Sequence, residues 1–407
     1  MRLRYGSPFW LDQTKGRAIR RYPQLRRELD VDVAIVGAGF TGCTAALIFA
    51  EAGLRVALLE RLQVGRGSAA ASTALLMQEP DRFFTELVDR YGMATARTIW
   101  RLSRRGLRDL KSLLRRVQCP ARVTPAVHLA FDPRGARDLR RDLAARHRAG
   151  FGGRLLDGAA LHRRAGIEGG TAILSAGNAV VDPHRATLAL AHAAARQGAR
   201  IFGRSETTRV TQTGDGVRVS TPHGRVRAHR VIIATGFATP AFKPLSARFS
   251  MATTYVIATS RAPALRRQLV GGNLMFWDAE RPYHYFRWTD DDRILFGGSD
   301  RSVPRGRRAR RAALLDATDD LRRKLSQIYP ATEELTTEYA WEGLFATTPD
   351  GLPYVGAHRH YPRHLFALGY GGNGMTFAVL AARILLRQYL GRPRDEDAIF
   401  SFSRQSR

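Results

Sequence analysis

The stretch "VDVAIVGAGFTGCTAALIFAEAGLRVALLER", residues 31–61, decides the fold of this chain. It begins with a β-rich apolar run, Val33 to Val36, passes through a glycine-rich turn and continues into an alanine- and leucine-rich segment with helical spacing. A second apolar run, Arg55 to Leu59, ends at Glu60. The order of strand, glycine turn, helix and strand predicts a βαβ unit that binds a dinucleotide.

The glycines of this turn have different predicted roles. Gly37 allows a tight bend, Gly39 lets the backbone approach a pyrophosphate, and Gly42 lets the helix pack close to the strand. The pyrophosphate then meets the free N–H groups at the start of the helix. Glu60 would accept both hydroxyls of an adenosine ribose and repel a 2′-phosphate, which favours NAD or FAD over NADP. A glycine turn in an ordinary βαβ unit is the alternative, and the order and spacing of the elements argue against it.

The composition indicates a globular protein with room for two domains. The chain has 407 residues, of which 44% are hydrophobic. The longest apolar run, Thr376 to Leu386, is interrupted by Arg383 and is too short to cross a membrane. No apolar run follows the basic N-terminal residues, so we expect no signal peptide and a cytoplasmic protein. Cys43 and Cys119 are too few for a disulfide framework or a metal site.

The formal net charge is +29, which would attract anions of every kind, nucleic acid included. Nearly all of the positive charge is arginine, and it is scattered through predicted helices and loops alike. The densest cluster, "RGRRARR" at residues 305–311, is expected to begin a surface helix. We interpret it as a solvated basic face, with nucleic-acid binding as the weaker alternative.

The remaining patterns predict an α/β fold in which the nucleotide-binding elements are interrupted by insertions. Pro183 begins an amphipathic helix that stops before Gly198, and a buried strand runs from Val231 to Ala234. Between residues 249 and 300, β-rich segments separated by turn residues predict an antiparallel sheet. We therefore expect a Rossmann-like domain with an inserted antiparallel-sheet, α+β substrate domain. The predicted parts are an N-terminal arm (1–29), a discontinuous nucleotide-binding domain (30–83, 178–243 and 340–407) and a substrate-binding domain (84–177 and 244–339).

A second glycine loop, "GYGGNG" at residues 369–374, lies near the C-terminus. A predicted strand, His364 to Leu368, precedes it, and a predicted helix, Met375 to Leu390, follows. Two helix N-termini approached by flexible backbone suit a ligand with anionic groups at both ends. FAD is such a ligand, because it has a pyrophosphate and a flavin ring that is negatively charged at N1 and O2 when reduced.

Several motifs together resemble the D-amino-acid oxidase family of flavoproteins, also called the DadA-like or glycine oxidase group. The resemblance covers nearly the whole chain beyond the N-terminal arm. The motifs are VGAGFTG with Glu60, VGRGSAAAST (64–73), VDPHRAT (181–187), IIATG (232–236), DGLPYVG (350–356) and GYGGNG. The resemblance implies FAD, held non-covalently, since no cysteine follows Cys119 that could tether the flavin.

The resemblance also implies which residues contact FAD. Residues 67–73 would pass under the pyrophosphate and the flavin ring, Val210 would pair through its backbone with adenine, and residues 371–375 would face N1 and O2. The implied cofactor residues are Gly37, Ala38, Gly39, Thr41, Gly42, Glu60, Arg61, Gly67, Ser68, Ser72, Thr73, Val210, Thr235, Gly236, Gly371, Gly372, Asn373, Gly374 and Met375.

The reaction implied by the family is oxidation of a C–N bond in a small amine or amino acid. Hydride passes from the carbon beside a neutral amine to flavin N5, the imine hydrolyses, and oxygen or another acceptor reoxidises the flavin. The cofactor supplies most of this chemistry, so we assign no catalytic base.

One position departs from the family. Its glycine and D-amino-acid oxidases have an arginine before the last glycine loop that binds the substrate carboxylate, and the matching segment here, "WEGLFATTPDGLPYVG" (341–356), has Phe345. This form resembles the branch of γ-glutamylputrescine oxidase, which acts on amines without an α-carboxylate.

The segment "RPYHYFRW" (281–288) supplies the candidate substrate residues Tyr283, His284, Tyr285 and Arg287. Arg287 is either a substitute carboxylate clamp or part of a structural ion pair, and His284 is either a sheet histidine or catalytic. Strand alternation places Arg281, Tyr283, Tyr285 and Arg287 on one face and Pro282, His284, Phe286 and Trp288 on the other.

Two other functions are compatible with the sequence. A flavin enzyme that modifies a tRNA base would explain the basic surface, and a non-catalytic flavin-binding protein would have a pocket filled by side chains such as Phe345 and Trp288. The choice between oxidase and dehydrogenase and the oligomeric state stay open.

Overall fold

The first glycine motif lies in the middle of an eight-stranded sheet. A computed structural model describes residues 4–16, 19–237, 239–268, 274–280 and 282–404, and this sheet is built from those residues. Parallel pairing joins the strands on either side of the motif. In spatial order the first four strands are Arg200–Phe202, Val56–Leu59, Glu28–Val36 and Arg225–Gly236. The strand Arg225–Gly236 pairs next with Val217–Ser220, which forms a hairpin with Arg209–Gln212. It also pairs with Tyr361–Leu368, and that strand pairs in turn with Tyr354–His358.

Helices cover this sheet and bury the strands that the sequence predicted as apolar runs. Val33, Ala34 and Ile35 are completely buried, as expected for parallel strands covered on both faces. The helix Phe40–Glu51 packs against Pro183–Arg196 and Gly374–Tyr389. Both glycine loops therefore end in helices that pack against one another, which brings the two helix N-termini to the same part of the molecule.

The helix Pro183–Arg196 begins and ends as the sequence predicts. Proline is accommodated in the first turn, where its missing N–H is not needed. The Asp182 side chain accepts hydrogen bonds from the backbone N–H groups of His184 and Arg185, both at 2.9 Å, and so caps the helix.

A nine-stranded sheet, mostly antiparallel, forms the second layer in the described part of the chain. All four β-rich segments predicted between residues 249 and 300 are strands of this sheet, and the helix that begins in the arginine cluster, Gly306–Ile328, packs on it. In spatial order the strands are Arg4–Gly6, Thr337–Thr347, Ser250–Thr259, Ile294–Ser302, Tyr285–Trp288, Met275–Asp278, Ala126–Ala130, Thr171–Ser175 and Arg154–Leu156.

The N-terminal arm is part of this second sheet. Its strand Arg4–Gly6 pairs with residues 341–343, and the short helix Phe9–Asp12 buries Phe9 and Trp10. A domain boundary at residue 340 would cut the strand Thr337–Thr347, which pairs along nearly its whole length within the nine-stranded sheet. We therefore propose that the second part of the substrate-binding domain extends to Thr347.

A small sheet and further helices complete the described structure. The small sheet joins Leu75–Leu76 and Arg122–Val123 to Ala179–Val180. No described helix is long and apolar enough to span a bilayer. The other helices are Ser68–Ala71, Phe84–Tyr91, Met93–Arg116, Pro133–Arg148, Gly158–Ala165, Lys243–Ser246 and Pro263–Gln268, with 3₁₀-helices at Pro240–Phe242, Pro330–Thr332 and Asp395–Phe400.

A buried ion pair attaches the end of the described chain to the body of the protein. Arg404 donates to the two carboxylate oxygens of Asp350 at 2.6 and 2.8 Å, and the Tyr91 hydroxyl donates to the same carboxylate at 2.5 Å. Burial alone would raise the pKa of Asp350, but the hydrogen bond and charge of Arg404 outweigh it and hold that pKa at about 2.

This pair makes stability depend on pH in a defined direction. Because the folded-state pKa of Asp350 lies below its ordinary value of 3.8, its contribution is complete above pH ~4 and is lost as the pH falls toward 2. We expect Arg404→Ala to lower the free energy of unfolding at pH 7 by about 3 kcal/mol, because it leaves a buried carboxylate without its partner. Between pH 4 and 2 the variant should lose stability less steeply than wild type.

Urea unfolding at a series of pH values measures both effects. Arg392→Ala, which removes an exposed arginine from the same region, serves as the control and should follow wild type. An Arg404→Ala variant with the acid dependence of wild type would contradict the assignment.

Candidate active site

Both glycine loops line one cavity of about 1430 Å³. Its wall also includes residues of the nine-stranded sheet, among them Tyr285 and Phe345. Pockets for small ligands are typically about 300–1,000 Å³, so a cavity of this size has room for an extended cofactor together with a small substrate.

The first glycine loop is shaped by backbone contacts. Gly37 has a φ of 100°, which disfavours other residues, and a β-carbon there would lie 2.8 Å from the carbonyl oxygen of Ala234. A β-carbon on Gly42 would lie 1.8 Å from the carbonyl oxygen of Gly37, so the helix can approach only at a glycine. A β-carbon on Gly39 would have no atom within 4 Å, because this residue faces the cavity at the helix N-terminus.

Glu60 is fixed at the wall of the same cavity. Its two carboxylate oxygens accept hydrogen bonds from the backbone N–H groups of Ala38 and Leu62, each at 2.9 Å. Burial raises the pKa of Glu60, and these N–H groups oppose that rise. Near the predicted adenine contact Val210, the buried hydroxyl of Thr207 has no hydrogen-bond partner among the described residues. An open glycine cradle, a fixed carboxylate and an unpaired hydroxyl together fit the pyrophosphate and adenosine part of FAD.

Most of the predicted cofactor residues line this cavity. Ala38 and Gly42 lie behind its surface, where Ala38 donates to Glu60 and Gly42 packs on Gly37. Neither cysteine lines it, and burial raises the pKa of Cys119 to about 11. The lining residues among those predicted are Gly37, Gly39, Thr41, Glu60, Arg61, Gly67, Ser68, Ser72, Thr73, Val210, Thr235, Gly236, Gly371, Gly372, Asn373, Gly374 and Met375.

Two of the four candidate substrate residues reach the cavity. Tyr283 and Tyr285 both line it, and their ring centroids lie 5.8 Å apart. The Tyr285 hydroxyl is 2.9 Å from the hydroxyl of Thr254, and burial raises the pKa of Tyr285. Arg281, predicted on the same face, lies outside the described residues.

His284 faces away from the cavity. Its Nδ1 is 2.8 Å from a carboxylate oxygen of Asp278, and its backbone N–H donates to the other oxygen at 2.9 Å. The imidazole stacks on Phe296, and the residue is 9% exposed. Of the two alternatives predicted for His284, this geometry fits a structural histidine of the sheet rather than a catalytic one.

Arg287 does not reach the cavity either, although strand alternation points it toward that side. The residue is 2% exposed, and its guanidinium donates to the carbonyl oxygens of Thr73, Ala74 and Val181 at 3.0, 3.3 and 2.8 Å. Burial lowers its pKa to about 9, which leaves it charged at neutral pH. Among the described residues it forms no ion pair. The structure therefore supports neither role predicted for Arg287, because backbone carbonyls occupy the guanidinium.

These contacts belong to a set that holds residues 71–74, the wall segment. The Trp341 indole donates to the carbonyl of Ala71 at 2.9 Å, and the Trp10 indole donates to that of Ser72 at 2.8 Å. Arg287 donates to the next two carbonyls, those of Thr73 and Ala74. Its guanidinium carbon lies 5.3 Å from the centre of the Trp10 ring. Ala74 has a φ of 55°, which costs energy for a residue with a side chain. Sequence reasoning missed Trp10 and Trp341, which are both distant in sequence from residues 71–74.

Sequence reasoning also missed one wall of the cavity. The ring of His128 stacks between Phe83 and Trp277, with centroid distances of 5.1 and 4.8 Å. Glu79 and Asp81 line the cavity in the segment that leads to Phe83. The sequence "QEPDRFF" contained three of these residues, but no local pattern distinguishes a cavity wall from a solvated loop.

The comparisons with known proteins agree with this geometry. Residues 32–388 match the DAO family model, described as FAD dependent oxidoreductase. The chain is 28% identical over 389 residues to gamma-glutamylputrescine oxidoreductase of Escherichia coli, with 93% of this chain and 88% of that protein covered. It is 24% identical over 393 residues to glycine oxidase of Bacillus licheniformis, with 91% and 96% covered. The crystal structure of glycine oxidase from Geobacillus kaustophilus has a TM-score of 0.79 at 22% identity and covers 93% of this chain and 99% of that one.

Gly39→Leu tests the pyrophosphate assignment without disturbing the fold. Because the added side chain meets no protein atom within 4 Å of its β-carbon and the φ of Gly39 is −77°, we expect the variant to fold and to lose bound FAD. The measurement is the ratio of flavin to protein absorbance after gel filtration. Gly214→Leu, another glycine whose β-carbon would meet open space, is the control and should keep full flavin. Full flavin occupancy in Gly39→Leu would refute the assignment.

Arg287→Met tests the role of the wall segment. The variant keeps an apolar stem but leaves three carbonyls without a donor, so we expect a loss of about 3 kcal/mol in the free energy of unfolding and weaker FAD retention. Arg218→Met removes an exposed strand arginine and should change neither quantity. Unchanged stability together with a raised KM for carboxylate-bearing substrates would instead restore Arg287 as a carboxylate clamp.

Proposed function

The chain belongs to the DAO family of FAD dependent oxidoreductases, and on that premise we propose that it oxidises the C–N bond of a small amine with no carboxylate on the reacting carbon. Bound FAD supplies flavin N5 as the hydride acceptor. The product is an imine, which hydrolyses in water. Reoxidation by oxygen or another acceptor, and a cytoplasmic location, are part of the same proposal.

The observation that carries this proposal is Phe345 on the cavity wall. Its strand pairs in register with the neighbouring strand, with Phe345 opposite Ala252, so the position of the ring is defined by the sheet. Phenylalanine offers no charge and no hydrogen-bond donor to a carboxylate, whereas an arginine would bind both carboxylate oxygens. Arg287, the predicted substitute, is bound to backbone carbonyls.

The other arginines among the described residues of the cavity wall either lie near an acidic side chain or follow or precede a residue that we assign to the cofactor. Arg146 lies 2.6 Å from Asp142 in a buried ion pair, and Arg82 lies 3.8 Å from Glu86. The rest are next in sequence to residues that we assign to the cofactor. They are Arg61 beside Glu60, Arg66 beside Gly67 and Arg209 beside Val210.

One of the relatives described above supports the same substrate class, whereas the glycine oxidases act on an amino acid. The name of the Escherichia coli relative specifies an amine, gamma-glutamylputrescine, and 93% of this chain aligns with it. The two alternatives predicted from the sequence are not favoured. A non-catalytic pocket filled by side chains does not fit a cavity of about 1430 Å³, and Trp288 lies in a hydrophobic core away from its wall. None of the three related proteins described above is named as a tRNA-modifying protein.

Matched pairs of amines and amino acids test the proposal. n-Butylamine and norvaline differ by one α-carboxylate, so an anaerobic titration of the holoenzyme with each isolates the effect of that group. We expect n-butylamine to bleach the visible flavin bands and both enantiomers of norvaline to leave them unchanged at equal concentration. Bleaching by norvaline alone would refute the proposal.

Substitution of Phe345 gives a second test of the same proposal. Phe345→Arg should raise the ratio of kcat/KM for norvaline to that for n-butylamine at least tenfold, because it adds a bidentate carboxylate donor. Phe345→Leu changes the size of the side chain without adding charge and should leave the ratio near the wild-type value.

A further inference from the structure

We propose that Glu79 forms a cation-binding subsite in the cavity, which binds an ammonium group of the substrate other than the amine that is oxidised. This inference rests on the proposed function and narrows it, because it names the substrate as an aliphatic diamine or a longer polyamine-like molecule.

The carboxylate of Glu79 is buried and incompletely paired. The residue is 3% exposed, and its Oε2 atom has no hydrogen-bond partner among the described residues. The other oxygen, Oε1, is 3.4 Å from the side-chain nitrogen of Gln78. Burial of a carboxylate is costly unless hydrogen bonds or an opposite charge compensate for it. Because Glu79 lines the cavity, a rotation of its side chain would bring Oε2 to a ligand, which can then supply the missing partner.

The backbone around Glu79 is fixed to the second glycine loop. The Asn373 side chain donates to the carbonyl oxygen of Glu79 at 2.7 Å, and the Thr376 hydroxyl donates to that of Met77 at 3.0 Å. Asn178 accepts from the backbone N–H of Gln78 at 2.8 Å. The backbone at Glu79 therefore has a defined position beside the loop predicted to face the flavin ring.

A second carboxylate, that of Asp81, lies against the second glycine loop. Asp81 accepts a hydrogen bond from the backbone N–H of Gly372 at 2.5 Å. A β-carbon on Gly372 would lie 2.8 Å from the Tyr283 hydroxyl and 3.3 Å from a carboxylate oxygen of Asp81. The acidic and phenolic oxygens thus converge on one side of the cavity, which makes that side electronegative.

The stacked rings of Phe83, His128 and Trp277 also line the cavity. The faces of aromatic rings attract ammonium groups, and this attraction strengthens where water is excluded. Carboxylate oxygens and aromatic rings together are the groups that recognise an alkylammonium ion, with the rings also packing against its methylene carbons.

The charge of the whole protein makes this local arrangement informative. With a formal net charge of +29, the general field favours anions and opposes the approach of a cation. A cavity that accepts a cation therefore needs its own acidic groups, and an acidic residue inside the cavity would weaken the binding of an amino-acid carboxylate.

The bound ammonium is not the reacting nitrogen. Hydride transfer requires a neutral amine, and an adjacent carboxylate would favour the protonated form of whichever amine it contacts. Glu79 therefore fits a second, spectator nitrogen, which it would hold while the neutral amine lies at the flavin.

Three molecules of the same shape test the subsite without turnover. tert-Butylammonium, tert-butanol and pivalate carry a positive charge, no charge and a negative charge, and none has a hydrogen on the carbon that bears the polar group. Their binding to the holoenzyme is followed by calorimetry and by the change in the flavin absorption spectrum. We expect tert-butylammonium to bind at least tenfold more tightly than tert-butanol, and pivalate to bind most weakly. Equal binding of all three to wild type would overturn the proposal without any variant.

Glu79→Gln keeps the shape of the side chain and removes its charge. We expect it to retain FAD and to lose the tenfold preference for tert-butylammonium over tert-butanol. Asp89→Asn removes an exposed carboxylate from the helix that follows Phe83, outside the cavity, and should keep the preference. Retention of the preference in Glu79→Gln would show that another group binds the cation and would refute the assignment.

Turnover gives an independent comparison. 1,4-Diaminobutane should show a kcat/KM at least tenfold above that of n-butylamine in wild type, through a lower KM, and Glu79→Gln should remove the difference. If no amine reduces the flavin while tert-butylammonium still binds through Glu79, the proposed reaction fails and the cation subsite stands. If amines reduce the flavin but charge does not affect probe binding, the subsite fails and the reaction stands.

Discussion

Carbonyl groups at helix ends and in loops need donors, and in this protein four consecutive carbonyls depend on three buried side chains. Trp341, Trp10 and Arg287 come from two strands and the N-terminal arm, and together they hold residues 71–74 at the edge of the cavity. The contact joins the nine-stranded sheet to a segment of the first part of the predicted nucleotide-binding domain. The shape of the cavity depends on this contact, because Ser72 and Thr73 form part of its wall.

The parts of the structure that sequence could predict are those with a local cause. The first glycine loop follows from steric contacts between near neighbours, such as Gly42 with Gly37, and the helix at Pro183 follows from its own cap. The partner of a side chain far away in sequence has no such local signal. Alternation along the strand indicated the direction of Arg287 but not that backbone carbonyls would surround it. Glu79 was missed for the same reason, since its importance comes from burial beside Asn373.

On the proposed function, two positions reverse the charge preference expected at the substrate end of the cavity. Phe345 removes a positive group that would bind a carboxylate, and Glu79 adds a buried negative one. Either change alone would weaken amino-acid binding, and both together favour a cationic substrate over an anionic one. Specificity of this kind has an attractive and a repulsive component, because the group that binds one ligand class also rejects the other.

The pairing of Tyr5 with Glu342 has a consequence for the order in which the protein assembles. Almost the whole chain separates the two strands, yet Tyr5 and Gly6 help to line the cavity. Contacts between segments so far apart form late, because a long loop must close before they contribute. During synthesis the early strand has no partner until the segment around residue 342 has been made. The wall of the cavity is therefore completed only after the segment around residue 342 has been made.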